Sequence, residues 1–99
     1  MPKILIIDDE PAIRKALKEI LEYEQFEVSE AEDGPTALKI VEKESFDLIF
    51  CDIKMPRMDG MEVLDKLKEK GIESPVVIIT GHGTVETAVD ALKKGAYDF

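Results

Sequence analysis

The sequence predicts an α/β protein with a doubly wound parallel sheet of five strands, in the order (βα)4β with right-handed crossovers. Two observations lead to this prediction. Short apolar runs typical of strands alternate along the 99 residues with segments whose apolar residues recur at helical spacing. Proline and glycine stand at several junctions between these segments, where turns and helix starts are expected. The length suits a single domain.

The first strand and helix are predicted near the start of the chain. Lys3–Ile7 is a β-rich apolar run. Pro11 suits the first turn of a helix, and an acidic residue before it can cap the free N–H groups. One face of this helix is predicted to be apolar, because residues recur at i, i+3, i+4, i+7 and i+8, namely Ile13, Ala16, Leu17, Ile20 and Leu21.

The second pair of elements has a more polar strand. Glu27–Ala31 is short and mixed in polarity, which suits an outer strand. Asp33-Gly34-Pro35 marks a turn and a new helix start. This second helix is predicted to end near Glu44, with an apolar stripe of Ala37, Leu38 and Val41.

The third strand and helix flank a loop. Leu48–Cys51 is continuously apolar, as expected for a central parallel strand covered on both faces. Lys54–Asp59, which contains Pro56, is predicted to be a loop. Gly60 opens the third helix and Gly71 closes it, with its inward residues Val63, Leu64 and Leu67.

The last predicted elements complete the alternation. Pro75–Ile79 is a fully apolar strand, followed by a flexible loop at Gly81–Gly83. A fourth helix is indicated by Val85, Ala88, Val89 and Leu92, and a fifth strand begins at Ala96. We expect one domain over residues 1–99, truncated within or just after the fifth strand and without a final helix. An exposed fifth strand would favour a homodimer or a strand-swapped oligomer.

Composition narrows the function classes. The net charge of -9, from 13 basic and 22 acidic residues, argues against direct nucleic-acid binding by this domain. No apolar run approaches the ~20 residues of a membrane span, and the first residues do not resemble a signal peptide. The single Cys51 cannot form an internal disulfide and is expected to be a small apolar filler in a strand. These features predict a cytoplasmic protein without a membrane partner.

Acidic residues follow two of the predicted strands. Asp8 and Asp9 come after the first strand, and Asp52 comes after the third. Because the carboxyl ends of parallel strands meet at one edge of a sheet, these carboxylates are expected to lie together. Their mutual repulsion requires a compensating cation, so the sequence predicts a hard divalent metal such as Mg²⁺. A carboxylate beside bound Mg²⁺ can attack phosphorus and become an acyl phosphate.

Simpler explanations exist for each of these residues. Asp8 and Asp9 could act only as helix caps before Pro11, an effect of about 1 kcal/mol that needs no metal. Thr80 could donate to a phosphoryl oxygen, or could be a β-branched strand end or a turn cap. His82, a single histidine between glycines, is expected to face solvent. No zinc-type cluster, P-loop or dinucleotide fingerprint is present in the sequence.

The same residues resemble the receiver domain of bacterial two-component response regulators. The motifs that carry the resemblance are Asp8-Asp9-Glu10, the loop Asp52-x-x-Met-Pro-x-Met-Asp-Gly60, Thr80, and Gly95-Ala-Tyr-Asp-Phe99. The resemblance implies a flavodoxin-like sheet. It also implies that a sensor histidine kinase transfers a phosphoryl group from its phosphohistidine to Asp52.

The resemblance assigns further roles residue by residue. It implies that Asp9 binds Mg²⁺ directly, that Asp8 binds it mainly through water, and that Lys54 contributes its backbone carbonyl. Thr80 matches the switch hydroxyl and Phe99 the switch aromatic position. The segment Thr80–Val89 further resembles receivers attached to AAA+ ATPase transcription activators, which implies an attached or partner output domain.

One part of the family pattern is not reached. The family carries a lysine just after the fifth strand, which pairs with the phosphoryl oxygens, and this sequence ends before that position. A second hypothesis is therefore a receiver-like interaction module that cannot switch at this length. A third is a small Mg²⁺-dependent phosphohydrolase, although such enzymes usually have a carboxylate two residues after the nucleophile, where this chain has Lys54. The first hypothesis predicts no enzyme activity beyond the domain's own aspartyl phosphorylation and dephosphorylation.

Overall fold

A computed structural model describes residues 1–79, in which strands and helices alternate. The predicted fourth helix and fifth strand lie outside the described residues, so the expectation of five strands stays a prediction. The observed bounds agree with the predicted ones to within one or two residues. The elements are β1 (Lys3–Ile7), α1 (Pro11–Tyr23), β2 (Glu27–Ala31), α2 (Gly34–Lys43), β3 (Leu48–Asp52), α3 (Gly60–Glu69) and β4 (Val76–Ile79).

The described strands form one parallel sheet in the order β2-β1-β3-β4. The chain moves outward from β1 to β2 and then returns to the other side of β1 to form β3. This reversal makes the crevice between the carboxyl ends of β1 and β3 the expected ligand position in such a sheet. The register aligns Ile7 with Cys51, so the residues that follow the two strands lie side by side.

The main core lies between the sheet and helices α2 and α3. Leu5 and Ile7 of β1 belong to this core, whereas Ile4 and Ile6 are equally buried but lie outside it. Since successive strand residues point to opposite faces, Ile4 and Ile6 face the side against which α1 packs. Both faces of β1 are therefore covered. Of the helix residues predicted to point inward, Leu38 is partly buried and the others are buried, namely Ala37, Val41, Val63, Leu64 and Leu67.

The apolar face of α1 is less buried than its periodicity suggests. No residue of this helix is fully buried, and Ile20 is 62% exposed. Among the described elements, the helix contacts mainly β1 and β2. The prediction of an amphipathic helix is confirmed, but Ile20 lies at the margin of its contact with the sheet.

Side-chain caps define the starts of α2 and α3. The Asp33 carboxylate accepts a hydrogen bond from the Thr36 N–H at 2.8 Å. Asp59 accepts from the Glu62 N–H at 2.9 Å, and Glu62 accepts in return from the Asp59 N–H, which completes a capping box. After α3, Gly71 adopts φ 74°, a left-handed conformation that suits glycine at a helix end.

Within residues 1–79, no helix combines the length and apolar character needed to cross a bilayer.

Candidate metal centre

Three carboxylates meet at the carboxyl edge of the sheet, as the sequence predicted. Asp8 and Asp9 follow β1, and Asp52 is the last residue of β3. One carboxylate oxygen from each lies within 4.8 Å of the others. Asp8 is 1% exposed and Asp52 6%, whereas Asp9 is the most exposed of the three. The cluster therefore has two buried members at its base and one at its mouth.

Asp8 is held by contacts to the chain that follows it. Its Oδ1 accepts a hydrogen bond from the Glu10 N–H at 2.9 Å, and its backbone carbonyl accepts one from Arg14 Nη1 at 2.7 Å. Glu10 is the residue that precedes α1, and its side chain makes no capping bond. The Asp8 carboxylate thus fixes the turn between β1 and α1 and does not satisfy an N–H of the helix itself.

Helix capping was the main alternative role for Asp8 and Asp9. The described hydrogen bonds contain no bond from either carboxylate to the first turn of α1. Capping therefore does not account for the two acids, and their position beside Asp52 is the feature that needs an explanation.

The electrostatics of the pocket disfavour the charged form of the buried acids. Burial raises the pKa of Asp52 to about 6, and the charge of Asp8 adds to this increase. The N–H groups of Ile53 and Lys54 act in the opposite direction without cancelling it. Burial also raises the pKa of Asp8 above its usual range, opposed by the Glu10 N–H and increased by the charge of Asp9. A cation bound among the three carboxylates would remove this repulsion.

The loop after Asp52 returns closely over the strand end. The Gly60 N–H donates to the Ile53 carbonyl at 2.8 Å, and the Ile53 N–H donates to the Ile79 carbonyl at 3.0 Å. A Cβ atom on Gly60 would lie 2.3 Å from the Asp52 carbonyl oxygen and 2.8 Å from Ile53 Cα. Only glycine permits this approach, so Gly60 fixes the backbone on which the Asp52 carboxylate is mounted.

The donor set fits a hard divalent cation. Carboxylate oxygens from three side chains within one small space are the ligands that Mg²⁺ prefers, with water completing its octahedron. Cys51 lies nearby but does not offer a thiolate, because burial and the charge of Asp52 raise its pKa to about 12. As predicted, Cys51 is a buried apolar filler.

The other predicted site residues are Lys54, Thr80, His82 and Phe99. Lys54 lies in the loop two residues after Asp52 and is exposed; the metal-binding role of its backbone carbonyl stays a prediction. Thr80, His82 and Phe99 lie outside the described residues, so their predicted roles stay predictions as well.

Two arginines near the pocket were not predicted from the sequence. Arg14 donates to the Asp8 carbonyl and pairs with Glu30 through Nε at 3.2 Å. Arg57 Nη1 lies 3.7 Å from Asp33 Oδ2. No local motif marks either residue, because both partners belong to other elements. The sequence offered one general indication: a basic residue near a predicted acidic cluster is expected to form an ion pair with an acidic side chain.

Comparison with known proteins gives a consistent result. The family model described as "Response regulator receiver domain" matches residues 4–99. The nitrogen assimilation regulatory protein NtrX of Azorhizobium caulinodans is 48% identical over 98 residues, which are 97% of this chain and 22% of that protein. The chain thus spans about a fifth of the length of this relative.

Two solved structures are similar to the structure of this chain. The Francisella response regulator 1452 receiver domain superposes with a TM-score of 0.88 at 32% identity, over 99% of this chain and 81% of that one. The response regulator TrrA of Thermotoga maritima, solved in complex with Mg²⁺ and BeF, gives a TM-score of 0.85 at 35% identity, over 98% and 83%. The flavodoxin-like parallel sheet predicted for this chain is the fold of these relatives.

Proposed function

The chain belongs to the response regulator receiver domain family of two-component systems, and we propose that it accepts a phosphoryl group on Asp52 in a Mg²⁺-dependent reaction. The donor is the phosphohistidine of a sensor histidine kinase. The observation that carries the proposal is the cluster of Asp8, Asp9 and Asp52, whose carboxylate oxygens lie within 4.8 Å of one another. Asp52 is the nucleophile because it ends the central strand β3 and sits beneath a tightly returning loop.

The transfer is a direct displacement at phosphorus. An ionised Asp52 oxygen forms a new O–P bond while the P–N bond of the phosphohistidine breaks, and the electron pair of that bond remains on the imidazole nitrogen. The product is an acyl phosphate on Asp52. The reaction requires the charged carboxylate, whose pKa of about 6 without metal makes it partly protonated just below neutral pH.

Asp8, Asp9 and Asp52 would hold the metal, with the Lys54 carbonyl as a further oxygen ligand. Bound Mg²⁺ supplies positive charge that offsets the repulsion among the carboxylates and the incoming phosphoryl oxygens. The Thermotoga relative, whose structure contains Mg²⁺ and BeF, supports this part of the proposal. Asp8 stays in place through the Glu10 N–H, so the chain presents the ligand set before the donor arrives.

The remaining proposed steps concern the response to phosphorylation. The new phosphate carries a charge of about -1.5 to -2, and Thr80 is proposed to donate its hydroxyl to it while Phe99 serves as the switch aromatic. The surface around the predicted fourth helix and fifth strand would then change. The relatives named as nitrogen assimilation and C4-dicarboxylate transport regulators support an attached output in transcription.

Within this proposal the domain is a cytoplasmic signalling module and not an enzyme acting on other molecules. It catalyses only its own aspartyl phosphorylation and dephosphorylation. It binds no nucleic acid directly, in keeping with the net charge of -9. Homodimerisation or strand swapping is proposed as a route to assembly.

The proposal is tested by intact mass after incubation with Mg²⁺ and acetyl phosphate, beside Asp52→Asn and a sample with a chelator. We expect one phosphoryl addition to the unaltered chain and none in either control. Addition that persists in Asp52→Asn would contradict the assignment. No addition to a chain that is folded by circular dichroism would favour the interaction module that cannot switch.

A further inference from the structure

The loop between β3 and α3 contains a tight turn centred on an arginine. The Met58 N–H donates to the Pro56 carbonyl at 2.8 Å, and Arg57 between them has φ 69°. A three-residue turn with a positive central φ is rare and strained for any residue that has a Cβ. Glycine would adopt this conformation without steric conflict. The chain nevertheless has an arginine at this position.

The turn packs against α2, and this contact determines the position of Arg57. A Cβ on Gly34, the first residue of α2, would lie 2.9 Å from Met58 Sδ, so the loop packs directly on that helix start. Arg57 Nη1 lies 3.7 Å from Asp33 Oδ2, while Asp33 Oδ1 is already occupied by the Thr36 N–H. The guanidinium thus lies at the start of α2, next to the metal centre.

Arg57 and Asp9 line the same small cleft. Its volume is about 260 Å³, and its other lining residues are Glu32, Asp33 and Pro56. Among these lining residues, which all lie in the described part of the chain, Arg57 alone is basic. Three carboxylates would repel an anion that approached Asp9 through this cleft, and a guanidinium at the rim would reduce that repulsion.

The ion pair with Asp33 does not by itself explain the arginine. The Arg57 side chain is 74% exposed, and pairs of this kind contribute little to stability in water. A weak surface contact gives no reason to keep a strained backbone at a site where glycine fits. A role toward a ligand that enters the cleft gives such a reason.

We propose that Arg57 is a specificity-determining residue that attracts small anionic acyl phosphates into the cleft beside Asp9. The inference rests on the proposed function, because it concerns the donor for Asp52. In the reaction with an acyl phosphate, an Asp52 oxygen bonds to phosphorus and the bond from phosphorus to the acyl oxygen breaks. The electron pair leaves with the carboxylate product, and no further reactant is needed beyond the Mg²⁺ of the proposed function.

The test compares second-order rate constants for phosphorylation by acetyl phosphate and by phosphoramidate, which is less negatively charged. The variants are Arg57→Ala, Arg57→Lys and Lys66→Ala. Lys66 lies on α3 and pairs with Glu69, so its loss changes the net charge equally at a distance from the cleft. Each is measured at low and high salt.

We expect Arg57→Ala to slow the acetyl phosphate reaction about two- to fivefold at low salt, the size of one exposed charge interaction. The loss should be smaller with phosphoramidate and at high salt, since both weaken the attraction. Arg57→Lys should recover most of the rate because it restores the charge. Lys66→Ala should react like the unaltered chain.

The possible results separate this inference from the proposed function. Equal rates for the unaltered chain and Arg57→Ala, with both labelled on Asp52, would overturn the role of Arg57 alone. Equal losses with both donors at both salt concentrations, without recovery in Arg57→Lys, would assign Arg57 a structural role and overturn the inference too. No Mg²⁺-dependent labelling of the folded unaltered chain would overturn both proposals.

Discussion

Asp52 is a buried carboxylate whose neighbours oppose its charge. Burial and the charge of Asp8 raise its pKa to about 6, well above the value of an Asp in an unfolded chain. The folded protein therefore binds a proton at Asp52 more tightly than the unfolded protein does. The stabilisation of the folded state that comes from this proton is fully present below about pH 4, the pKa of Asp in the unfolded chain. It is lost as the pH rises through about 6.

This linkage predicts that Asp52→Asn stabilises the metal-free protein at pH 7. The gain in unfolding free energy should be on the order of 1 kcal/mol, because solvent at the pocket mouth screens part of the repulsion. It should shrink as the pH falls from about 6 towards 4, where Asp52 of the folded protein is neutral. Urea unfolding of both proteins at several pH values, with a chelator present, measures this gain.

A suitable control is Asp65→Asn, which makes the same change of charge on the exposed side of α3. It should alter stability by less than about 0.5 kcal/mol at every pH. An Asp52→Asn variant less stable than the unaltered chain at pH 7 without metal would contradict the account of the pocket.

Gly60 is the second residue on which the pocket depends. A methyl group there meets the Asp52 carbonyl oxygen at 2.3 Å, and backbone must move to admit it. We predict that Gly60→Ala lowers the unfolding free energy by about 1–3 kcal/mol and slows phosphorylation of Asp52. Chemical denaturation and the rate of phosphoryl addition measure the two effects.

Gly71→Ala is the matched comparison for Gly60→Ala. Gly71 has φ 74° with no atom within 4 Å of an added Cβ, so alanine there costs only backbone strain, about 1–2 kcal/mol. Its phosphorylation rate should be unchanged. If Gly60→Ala were phosphorylated as fast as Gly71→Ala, the close approach of the loop would not be what positions Asp52.

The three acids of the pocket could be predicted because strand ends are visible in the apolar pattern. Asp8 and Asp52 each come directly after an uninterrupted apolar run. The parallel pairing of β1 with β3 then places the two residues side by side. Arg57 could not be predicted in the same way. Its position depends on a positive φ that sequence preferences assign to glycine, and on a contact with Asp33, which lies 24 residues earlier in the chain.

The helices differ in how closely their burial follows their periodicity. In α3 the apolar residues Val63, Leu64 and Leu67 are all buried, because the helix packs on both the sheet and α2. In α1 the same kind of spacing leaves Ile20 largely exposed. Periodicity predicts that a helix has an apolar face, but the width of the surface beneath it depends on which elements lie there.

This difference predicts unequal costs for two truncations. Leu67→Ala should lower the unfolding free energy by about 2–4 kcal/mol, because it leaves a cavity at a site that is 1% exposed. Ile20→Ala should change it by no more than about 0.5 kcal/mol, since most of that side chain already contacts water. Equilibrium unfolding in urea compares them, and similar losses in both variants would contradict the packing described for α1.

At the scale of the whole molecule, the sheet order places the site. After β2 the chain crosses to the other side of β1 to form β3, so the two strand ends that carry the acidic residues become neighbours in the sheet. The alternation of strands and helices was sufficient to predict the parallel sheet. The order of its strands follows from the connection rules for such sheets and was not visible in any single segment.

The most direct measurement of the central claim is to locate the phosphoryl group on the chain. Borohydride reduces an aspartyl phosphate to homoserine, and peptide mass mapping then identifies the modified residue. After reaction with Mg²⁺ and a phosphodonor, we predict homoserine at position 52 alone, and none in Asp52→Asn or without Mg²⁺. Homoserine at position 8 or 9, or a phosphoryl addition that borohydride cannot trap, would contradict the assignment of Asp52 as the acceptor.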